Sequence, residues 1–324
     1  MADAEVLFLA PGEEERGDMG ELYKSSIHSV FQEIEFNRII AEVFSTQLRF
    51  LTAKLQGELI GVCPVHIVRD NWIRSTIHAS PRMFEVPYGG WVLKDRRLEL
   101  ELARLLPVRF NQSLSYWSLP VLDGNEWPSS RDVTKYETLV IDLDQSSDGI
   151  FERSIDSKRR NMIRKAERSG VRVVEGSVAD VDRFYDRLMR PTNAKAGIPL
   201  HPKDYYTKLL RQFGGTGMLK LFFAECEGET LAAILVVLNR WVAHYWIGAK
   251  ADDVENLGQG ELLQWHAIQF AKQQGSKYYD LCGYEPGRLP RIAEFKADFS
   301  KHIVPFYLYS KRSIGYRIAY RLVR

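Results

Sequence analysis

Residues 224–237 read AECEGETLAAILVV, and residues 53–66 read AKLQGELIGVCPVH. The two stretches align at a constant offset of 171 residues, with Ala, Gly and Glu coinciding around a turn. Each predicts a β-hairpin, because two apolar runs flank a short polar turn. The repetition indicates an internal duplication of one α/β module, although the identity is slight and chance is the alternative.

Helices and strands alternate through the rest of the chain. The pattern predicts a strand at 136–143 (YETLVIDL), a helix at 148–169 that stops at Gly170, and an amphipathic helix at 261–275 followed by the strand KYYDLCG. We therefore expect an α/β (α+β) fold, with mixed sheets flanked by helices.

A polar, turn-rich loop at 123–135 separates the two copies of the module. We predict two tandem domains, at 1–145 and 146–324. The last stretch, KRSIGYRIAYRLVR at 311–324, has apolar residues one turn apart among basic ones. It is typical of a helix that packs on the first domain, and the alternative is a helix that lies on an anionic membrane surface.

Composition narrows the class of protein. The 324 residues hold 44 basic and 42 acidic side chains, a balance that argues against a general nucleic-acid coat. The three cysteines are scattered, which favours free thiols in a reducing compartment. The N-terminus lacks the pattern of a signal peptide, and the longest apolar run, 231–238, is too short to cross a bilayer. We expect a cytoplasmic monomer.

No sequence motif for covalent or metal catalysis is present. The sequence contains no CxxC, HExxH, GxSxG or Walker motif, and its seven histidines are scattered. We therefore predict no metal site and no tightly bound cofactor. Catalysis would depend on positioning and electrostatics.

One segment concentrates positive charge. Residues 157–170 read SKRRNMIRKAERSG, with Glu167 as the one acidic residue. On a helix, Arg160 and Arg164 lie one turn apart with Lys165 beside them, and stacked guanidinium groups bind phosphate oxygens well. The segment is a candidate phosphate site, and a solvated helix face is the alternative.

A second candidate anion site lies at 255–263, ENLGQGELL. Gly258 and Gly260 precede a predicted helix, whose first N–H groups can receive a phosphate. A lone GxG is weak evidence, and a plain helix start is the alternative.

Aromatic side chains cluster at 201–206 (HPKDYY) and 243–248 (AHYWIG). Tyr205, Tyr206 and Tyr245 are candidates for the lining of a substrate groove, and core packing is the commoner alternative for tyrosine.

Asp280 stands at a predicted strand end, and Lys296 follows Phe295 in a later segment. A carboxylate and a lysine that converge form an acid–base or oxyanion-stabilising pair. Spacing alone does not show convergence.

Several segments resemble one family when they are taken together. They are YETLVIDL, SKRRNMIRKAERSGV, GETLAAILVV, AHYWIGA, LGQGELLQWHAIQFAKQQGSKYYDLCG and EFKADF, which span residues 136–300. Their order and spacing resemble the FemAB-like aminoacyltransferases of the GCN5-related N-acetyltransferase (GNAT) superfamily. The first half is less similar: FQEIEF and PYGG look like family motifs, but Phe36 stands where tryptophan is usual.

The resemblance implies tandem acetyltransferase-like domains and the transfer of an activated acyl group to an amine. It implies that Lys296 stabilises the tetrahedral oxyanion and that basic residues hold substrate phosphates. Two positions depart from the pattern. His201, also a candidate substrate contact, stands where peptidoglycan-precursor enzymes carry arginine, and Ser300 replaces the glycine that usually follows the FK motif.

The leading hypothesis is an aminoacyltransferase that acts on a cell-envelope or secondary-metabolite precursor, phosphorylated or lipid-linked. We favour aminoacyl-tRNA as donor, because Glu255 occupies the first position of the usual acyl-CoA loop and would repel a pyrophosphate. The alternatives are a CoA-dependent N-acyltransferase that modifies an amino sugar, and a non-catalytic double module that binds RNA or an envelope partner. Peptidoglycan and cell-wall biogenesis are the expected setting.

Overall fold

The computed structural model describes residues 4–9, 17–71, 73–252 and 254–322. The chain divides into two compact units: unit 1 comprises residues 1–136 and 304–324, and unit 2 comprises residues 137–303. This division places residues 137–145 in unit 2 and residues 304–324 in unit 1, whereas the sequence analysis predicts one boundary at 145/146. Residues 323–324 of the predicted helix 311–324 lie outside the described ranges.

Unit 1 is built on a mixed sheet with the strand order β1-β2-β3-β4-β6-β13 and β5 beside β3. The pairs are antiparallel except β4 and β6, which run parallel. Its strands are β1 (Ala4–Phe8), β2 (Gln47–Leu55), β3 (Glu58–Arg69), β4 (Ser75–His78), β5 (Val92–Leu93), β6 (Gln112–Trp117) and β13 (Ile303–Arg312). Its helices are α1 (Gly17–Ser25), α2 (Ile34–Phe44), α3 (Glu99–Leu105) and α10 (Ile314–Leu322).

Unit 2 repeats this plan with the strand order β7-β12-β11-β10-β9-β8, in which β11 and β12 run parallel. Strand β7 (Val133–Asp142) begins in unit 1. The others are β8 (Arg172–Gly176), β9 (Leu219–Cys226), β10 (Glu229–Leu238), β11 (Val242–Lys250) and β12 (Tyr278–Asp280). The helices are α4 (Ser147–Gly149), α5 (Ser157–Arg168), α6 (Arg190–Ala196), α7 (Lys203–Phe213), α8 (Gln259–Gln273) and α9 (Pro290–Ala297).

Both predicted hairpins form. Strands β2 and β3 turn at Gln56 and Gly57, and strands β9 and β10 turn at Glu227 and Gly228. All four turn residues have positive φ, between 51° and 83°. Such two-residue turns match the right-handed twist of the strands, and glycine adopts the second position at little cost. The predicted fold class, mixed sheets flanked by helices, is confirmed.

The predicted helix at 148–169 is wrong in its first part. A short turn and a π-helical segment at Ile150–Ser154 end at Ile155, whose backbone is extended. The chain then restarts as α5, with the Asp156 side chain accepting a hydrogen bond from the Lys158 N–H at 2.8 Å. An N-cap of this kind stabilises a new helix start. The predicted end at Gly170 is confirmed by its φ of 76°.

In unit 2, the core lies between the sheet and helices α5 and α8. Ile163 and Ala166 of α5 and Ala267 and Ile268 of α8 are buried against residues of β10 such as Val236. This packing fixes α5, α8 and the parallel strand pair as one frame.

Candidate active site

The candidate site lies where two parallel strands of unit 2 stop pairing. Strands β11 and β12 are in register from Val242 opposite Tyr278 to His244 opposite Asp280. Beyond that point β12 ends, and β11 continues beside β10 alone, with an extra residue, Trp246, in its register. Sites in α/β folds form at the carboxyl ends of parallel strands, because the chains diverge there.

Asp280 is the centre of a buried hydrogen-bond network. Its Oδ1 accepts from the Thr138 hydroxyl (2.5 Å) and from the Cys282 N–H (3.0 Å). Its Oδ2 lies 2.8 Å from His244 Nδ1 and 3.7 Å from Cys282 Sγ. Asp280 and His244 are both fully buried. A buried carboxylate with this many partners is held in one position.

This network fixes the turn at Cys282 and Gly283. The Cys282 N–H donates to Asp280, and the Gly283 N–H donates to the Thr138 hydroxyl at 2.9 Å. Cys282 has a φ of 56°, in the left-handed region that non-glycine residues rarely occupy. The turn therefore has one orientation, set by two side chains.

The two carbonyl groups of this turn hold Lys296. Lys296 Nζ, at the end of α9, donates to the carbonyl oxygens of Cys282 (2.6 Å) and Gly283 (3.0 Å). The ammonium also lies 5.9 Å from the centre of the Tyr245 ring, and the lysine is half-buried. Asp280 and Lys296 thus contact the same turn, Asp280 through the Cys282 N–H and Lys296 through two carbonyl oxygens, and the oxyanion role of Lys296 stays a prediction.

Tyrosines beside the network keep their protons at neutral pH. Burial raises the pKa of Tyr245 to about 12. Burial also raises the pKa of Tyr279, whose hydroxyl accepts from the Gln264 amide at 2.9 Å. Neither side chain is poised as a base.

His244, Asp280 and Cys282 place three possible metal ligands within 4.8 Å of one another. In this structure His244 Nδ1 and Cys282 Sγ both hydrogen-bond to Asp280 Oδ2. The expectation of no metal site stays a prediction.

The basic segment forms α5, but its side chains find acidic partners that sequence spacing did not show. Arg160 donates to the carbonyl oxygens of Glu152 and Ile155, and Arg164 lies 3.5 Å from the Glu152 carboxylate. Lys165 donates to the Asn256 carbonyl oxygen at 2.8 Å. These partners come from outside residues 157–170, so the sequence of the segment alone does not reveal them. The phosphate-binding role stays a prediction.

Arg159, which the sequence analysis passed over, is the most buried basic residue of this segment. It donates to Glu261 at 2.7 Å and to Asp298 at 3.0 Å, with its side chain 13% exposed. The pairs join α5 to the first turn of α8 and to the end of α9. No spacing signal marked Arg159, since its partners lie more than 100 residues away.

Gly258 has a packing role. A Cβ at Gly258 would lie 2.2 Å from the Met162 carbonyl oxygen, and its φ is 90°. Its N–H already donates to Asn256 Oδ1 at 3.1 Å, whereas a Cβ at Gly260 would meet nothing within 4 Å. Gly258 is therefore required for the close approach of α5 and α8, and the role of both glycines in donor binding stays a prediction.

The aromatic candidates divide into a buried group and a partly exposed group. Tyr205 and Tyr206 are 0% and 1% exposed and pack against each other and Trp246. His201 is half-buried, which lowers the pKa of its imidazole, and its ring lies edge-on to Tyr205. A buried ring presents no face to a ligand, so this geometry favours the packing alternative for Tyr205 and Tyr206. Tyr245, beside Lys296, remains the candidate contact.

Comparison with known proteins finds similarity at the level of one domain and of the fold. Residues 157–296 match the sequence model of the acetyltransferase (GNAT) domain. This range includes α5, the hairpin β9–β10, the parallel pair and Lys296. A search of curated proteins finds no significant match.

Solved structures resemble the chain over almost its whole length. The crystal structure of FemX aligns with a TM-score of 0.73 and 13% identity, covering 98% of this chain and 99% of that one. A tandem GNAT protein from the clavulanic acid biosynthesis pathway aligns with a TM-score of 0.51 and 12% identity, covering 95% and 98%. The C-terminal domain of a protein described as a lysylphosphatidylglycerol synthetase from Agrobacterium fabrum aligns at 0.53 and 11%, covering 93% and 95%.

These comparisons confirm two predictions. The chain has a FemAB-like acetyltransferase fold. The match of residues 157–296 to the acetyltransferase (GNAT) domain supports the prediction that the protein is an acyltransferase. Among the described helices, none combines the length and the hydropathy that crossing a bilayer requires.

Proposed function

We propose that this protein forms an amide bond between an aminoacyl group and an amine of a cell-envelope or secondary-metabolite precursor, with Lys296 stabilising the oxyanion. The observation that carries the proposal is the fixed ammonium of Lys296, held by the Cys282 and Gly283 carbonyl oxygens beside the divergence of β11 and β12. A preorganised cation at such a point is the main requirement of acyl transfer without a covalent enzyme intermediate.

The chemistry follows from the position of Lys296. The acceptor amine attacks the carbonyl carbon of the activated acyl group, and a C–N bond forms while negative charge develops on the carbonyl oxygen. A charge-assisted hydrogen bond from Lys296 stabilises that charge by about 3–4 kcal/mol. The C–O bond of the ester then breaks, and the leaving hydroxyl takes the proton that the amine gives up.

Asp280 acts through the turn. It is fully buried, and its contacts are Thr138, His244 and Cys282, so we assign it a positioning role instead of the acid–base role considered from sequence. It fixes the Cys282 backbone, whose carbonyl oxygen aims Lys296. A misplacement of about 1 Å in such an arrangement lowers rates on the order of 10²-fold.

We propose aminoacyl-tRNA as the donor. In the loop before α8, the Leu257 N–H donates to Gln259 Oε1 (2.8 Å), and the Gly258 N–H donates to Asn256 Oδ1. These two amides are therefore engaged within the loop and are not directed at a pyrophosphate. Glu255 adds a carboxylate that is 76% exposed and lies 3.6 Å from Lys165. Acyl-CoA is the second candidate, supported by the match to the GNAT domain.

We propose that the acceptor carries phosphate, as a lipid-linked precursor does. Support comes from Arg164 and Lys165 of α5, whose side chains are 46% and 41% exposed and can exchange their weak carboxylate contacts for a phosphate. Arg160 is 20% exposed and lies beside Glu152, so it would act with Arg164.

The test offers aminoacyl-tRNA and acyl-CoA separately, each with a panel of amines that includes an amino sugar and a lipid-linked peptidoglycan precursor. Amide products are followed by mass spectrometry. We expect product from aminoacyl-tRNA with the wild-type protein and with a matched control, Lys301→Met, whose exposed lysine donates to the Ala297 carbonyl oxygen. Lys296→Met should give almost none.

Two outcomes contradict the proposal. Transfer from acyl-CoA but not from aminoacyl-tRNA would overturn the donor and leave the amide-forming chemistry. Binding of RNA or precursor without product from either donor would leave the non-catalytic double module.

A further inference from the structure

Unit 1 exposes three large apolar side chains close to its C-terminal helix. Phe110 and Ile314 are each 72% exposed, and Ile318 is 52% exposed. Ile314 and Ile318 lie four residues apart in α10, so they share one face of that helix. Single exposed apolar residues are common, but a contiguous group marks an interaction surface.

Contacts within unit 1 place Phe110 against the start of α10, the helix that carries Ile314 and Ile318. The Tyr316 N–H and the Ser313 hydroxyl both donate to the Phe110 carbonyl oxygen, the first at 3.1 Å. A Cβ at Gly315 would lie 2.3 Å from the Phe110 ring, so the glycine lets α10 rest directly on that ring. We call Phe110, Ile314 and Ile318 the apolar patch.

Basic residues lie beside the apolar patch in the sequence. Arg109, Lys311, Arg312 and Arg317 are exposed, and in the part of the chain that the structure describes none of them is ion-paired with a carboxylate. Elsewhere in the protein, exposed basic residues such as Arg187 and Lys195 do have carboxylate partners. Asp70 is the carboxylate that touches α10, and it accepts a hydrogen bond from the Tyr316 hydroxyl at 2.6 Å.

We propose that the apolar patch and its basic rim bind the surface of an anionic lipid bilayer. Apolar side chains of such a surface enter the boundary between headgroups and acyl chains, and a basic rim is attracted to anionic headgroups. The positive charge of the rim favours a bilayer over a second copy of this chain as the partner, because a second copy would bring the same uncompensated positive charge against itself. The proposal does not depend on the acyl donor or acceptor, because binding is measured without turnover.

The experiment is flotation of the full chain with vesicles of phosphatidylcholine, with and without phosphatidylglycerol. Two sets of variants separate the two components of the surface. The first is Ile314→Ser with Ile318→Ser, which leaves the Phe110–Gly315 packing intact. The second is Lys311→Gln with Arg312→Gln and Arg317→Gln. Matched controls in unit 2 are Val178→Ser with Ile198→Ser, which are 38% and 47% exposed, and Arg172→Gln with Arg211→Gln and Lys250→Gln, which removes three exposed basic side chains.

We expect flotation with anionic vesicles only, at low ionic strength. The charge variant should bind about fivefold more weakly per residue removed, or on the order of 10²-fold in total. The apolar variant should lose flotation, and both controls should float like the wild type. Circular dichroism establishes that each variant is folded.

Three results would overturn the proposal. One is a wild-type chain that does not float, and another is equal flotation of wild type and both patch variants. The third is a wild-type dimer in light scattering that the apolar variant abolishes while vesicle binding is absent, which would make the surface a self-association site.

Discussion

In each unit the parallel strand pair stops at a histidine, but the residue opposite that histidine differs. In unit 1, His78 of β4 lies opposite Ser115 of β6. In unit 2, His244 of β11 lies opposite Asp280 of β12. Burial lowers the pKa of His78 to about 4, so it is neutral at physiological pH. The duplicated plan therefore carries a buried carboxylate at this place in unit 2 and a hydroxyl in unit 1.

Each unit also has a side chain that donates to two successive backbone carbonyl groups. In unit 1, Gln32 Nε2 donates to the carbonyl oxygens of Gly90 (3.2 Å) and Trp91 (3.1 Å). In unit 2, Lys296 donates to those of Cys282 and Gly283. Gln32 is 1% exposed and neutral, whereas Lys296 is half-buried and charged.

The same kind of contact, a side chain that donates to two carbonyl groups, therefore has different consequences in the two units. A neutral, buried amide satisfies the carbonyl groups and adds stability. A partly exposed ammonium satisfies them too, but it also presents positive charge to a ligand. Chemistry is therefore expected at the unit 2 turn.

Lys296→Met should have the largest effect of the changes that test this contrast. We expect turnover to fall on the order of 10²-fold, the scale for one lost oxyanion donor, while the free energy of unfolding changes by less than about 1 kcal/mol. Single-turnover kinetics and urea unfolding measure the two quantities, and Lys301→Met is the control. Normal turnover in folded Lys296→Met would end the assignment.

Gln32→Leu should have the opposite profile. Two buried carbonyl groups lose their donor, and the Ser29 N–H loses Gln32 Oε1 as acceptor. We expect the free energy of unfolding to fall by about 2 kcal/mol, since unsatisfied buried groups cost about 1–3 kcal/mol. Turnover of the folded fraction should change far less than in Lys296→Met. A stable Gln32→Leu variant would contradict the structural role.

The buried histidines of unit 1 predict acid sensitivity. Burial, followed by the nearby His78, lowers the pKa of His66 to about 3. In the unfolded chain His66 is protonated below a pH of about 6.5, whereas in the folded chain it stays neutral until the pH approaches its lowered pKa. Its contribution to stability is therefore full above pH 6.5 and is lost as the pH falls toward the folded pKa. As the pH falls from 6.5 to 5, protonation of His66 in the unfolded chain should lower the free energy of unfolding by about 2 kcal/mol. His66→Gln should lose correspondingly less in urea unfolding at the two pH values. An unchanged pH slope would show that His66 is not the group responsible.

The α5 prediction has the smallest expected effect. Replacing Arg164 by Ala should weaken a phosphorylated ligand about tenfold, since a charged hydrogen bond is lost but an intramolecular contact with Glu152 is already present. Glu152→Gln should strengthen binding for the same reason, and Arg168→Ala on the same helix is the control. Calorimetry with inorganic pyrophosphate and with the lipid-linked precursor measures both. Equal affinity in all three variants would identify α5 as a solvated face.

Local patterns in the sequence were sufficient for the hairpins and for the end of α5. Gly57, Gly228 and Gly170 each stand where a positive φ is needed, and glycine signals such positions directly. The break at Ile155 was missed because a π-helical segment and the following helix share one apolar face, so the periodicity runs through the break.

The site was less predictable, since its contacts are long-range. Asp280 and Lys296 were singled out, but Thr138 lies 142 residues from Asp280 and carries no spacing signal. The partners of Lys165, Asn256 and Glu255, come from another segment for the same reason. Tyr205 and Tyr206 were proposed as groove residues but are buried. The sequence pattern of an amphipathic helix is the same whether its apolar face packs on a core or lines a groove.

Strand β13 has a consequence for synthesis on the ribosome. It pairs with β6, Leu308 opposite Trp117, and so completes the sheet of unit 1 with residues from the end of the chain. The about 190 residues between these partners take roughly 10–40 s to translate at about 5–20 residues per second. Throughout that interval the β6 edge is unpaired, and unpaired edges recruit other strands. The N-terminal half of the nascent protein therefore exposes a strand edge for this interval, and we expect it to bind chaperones during synthesis.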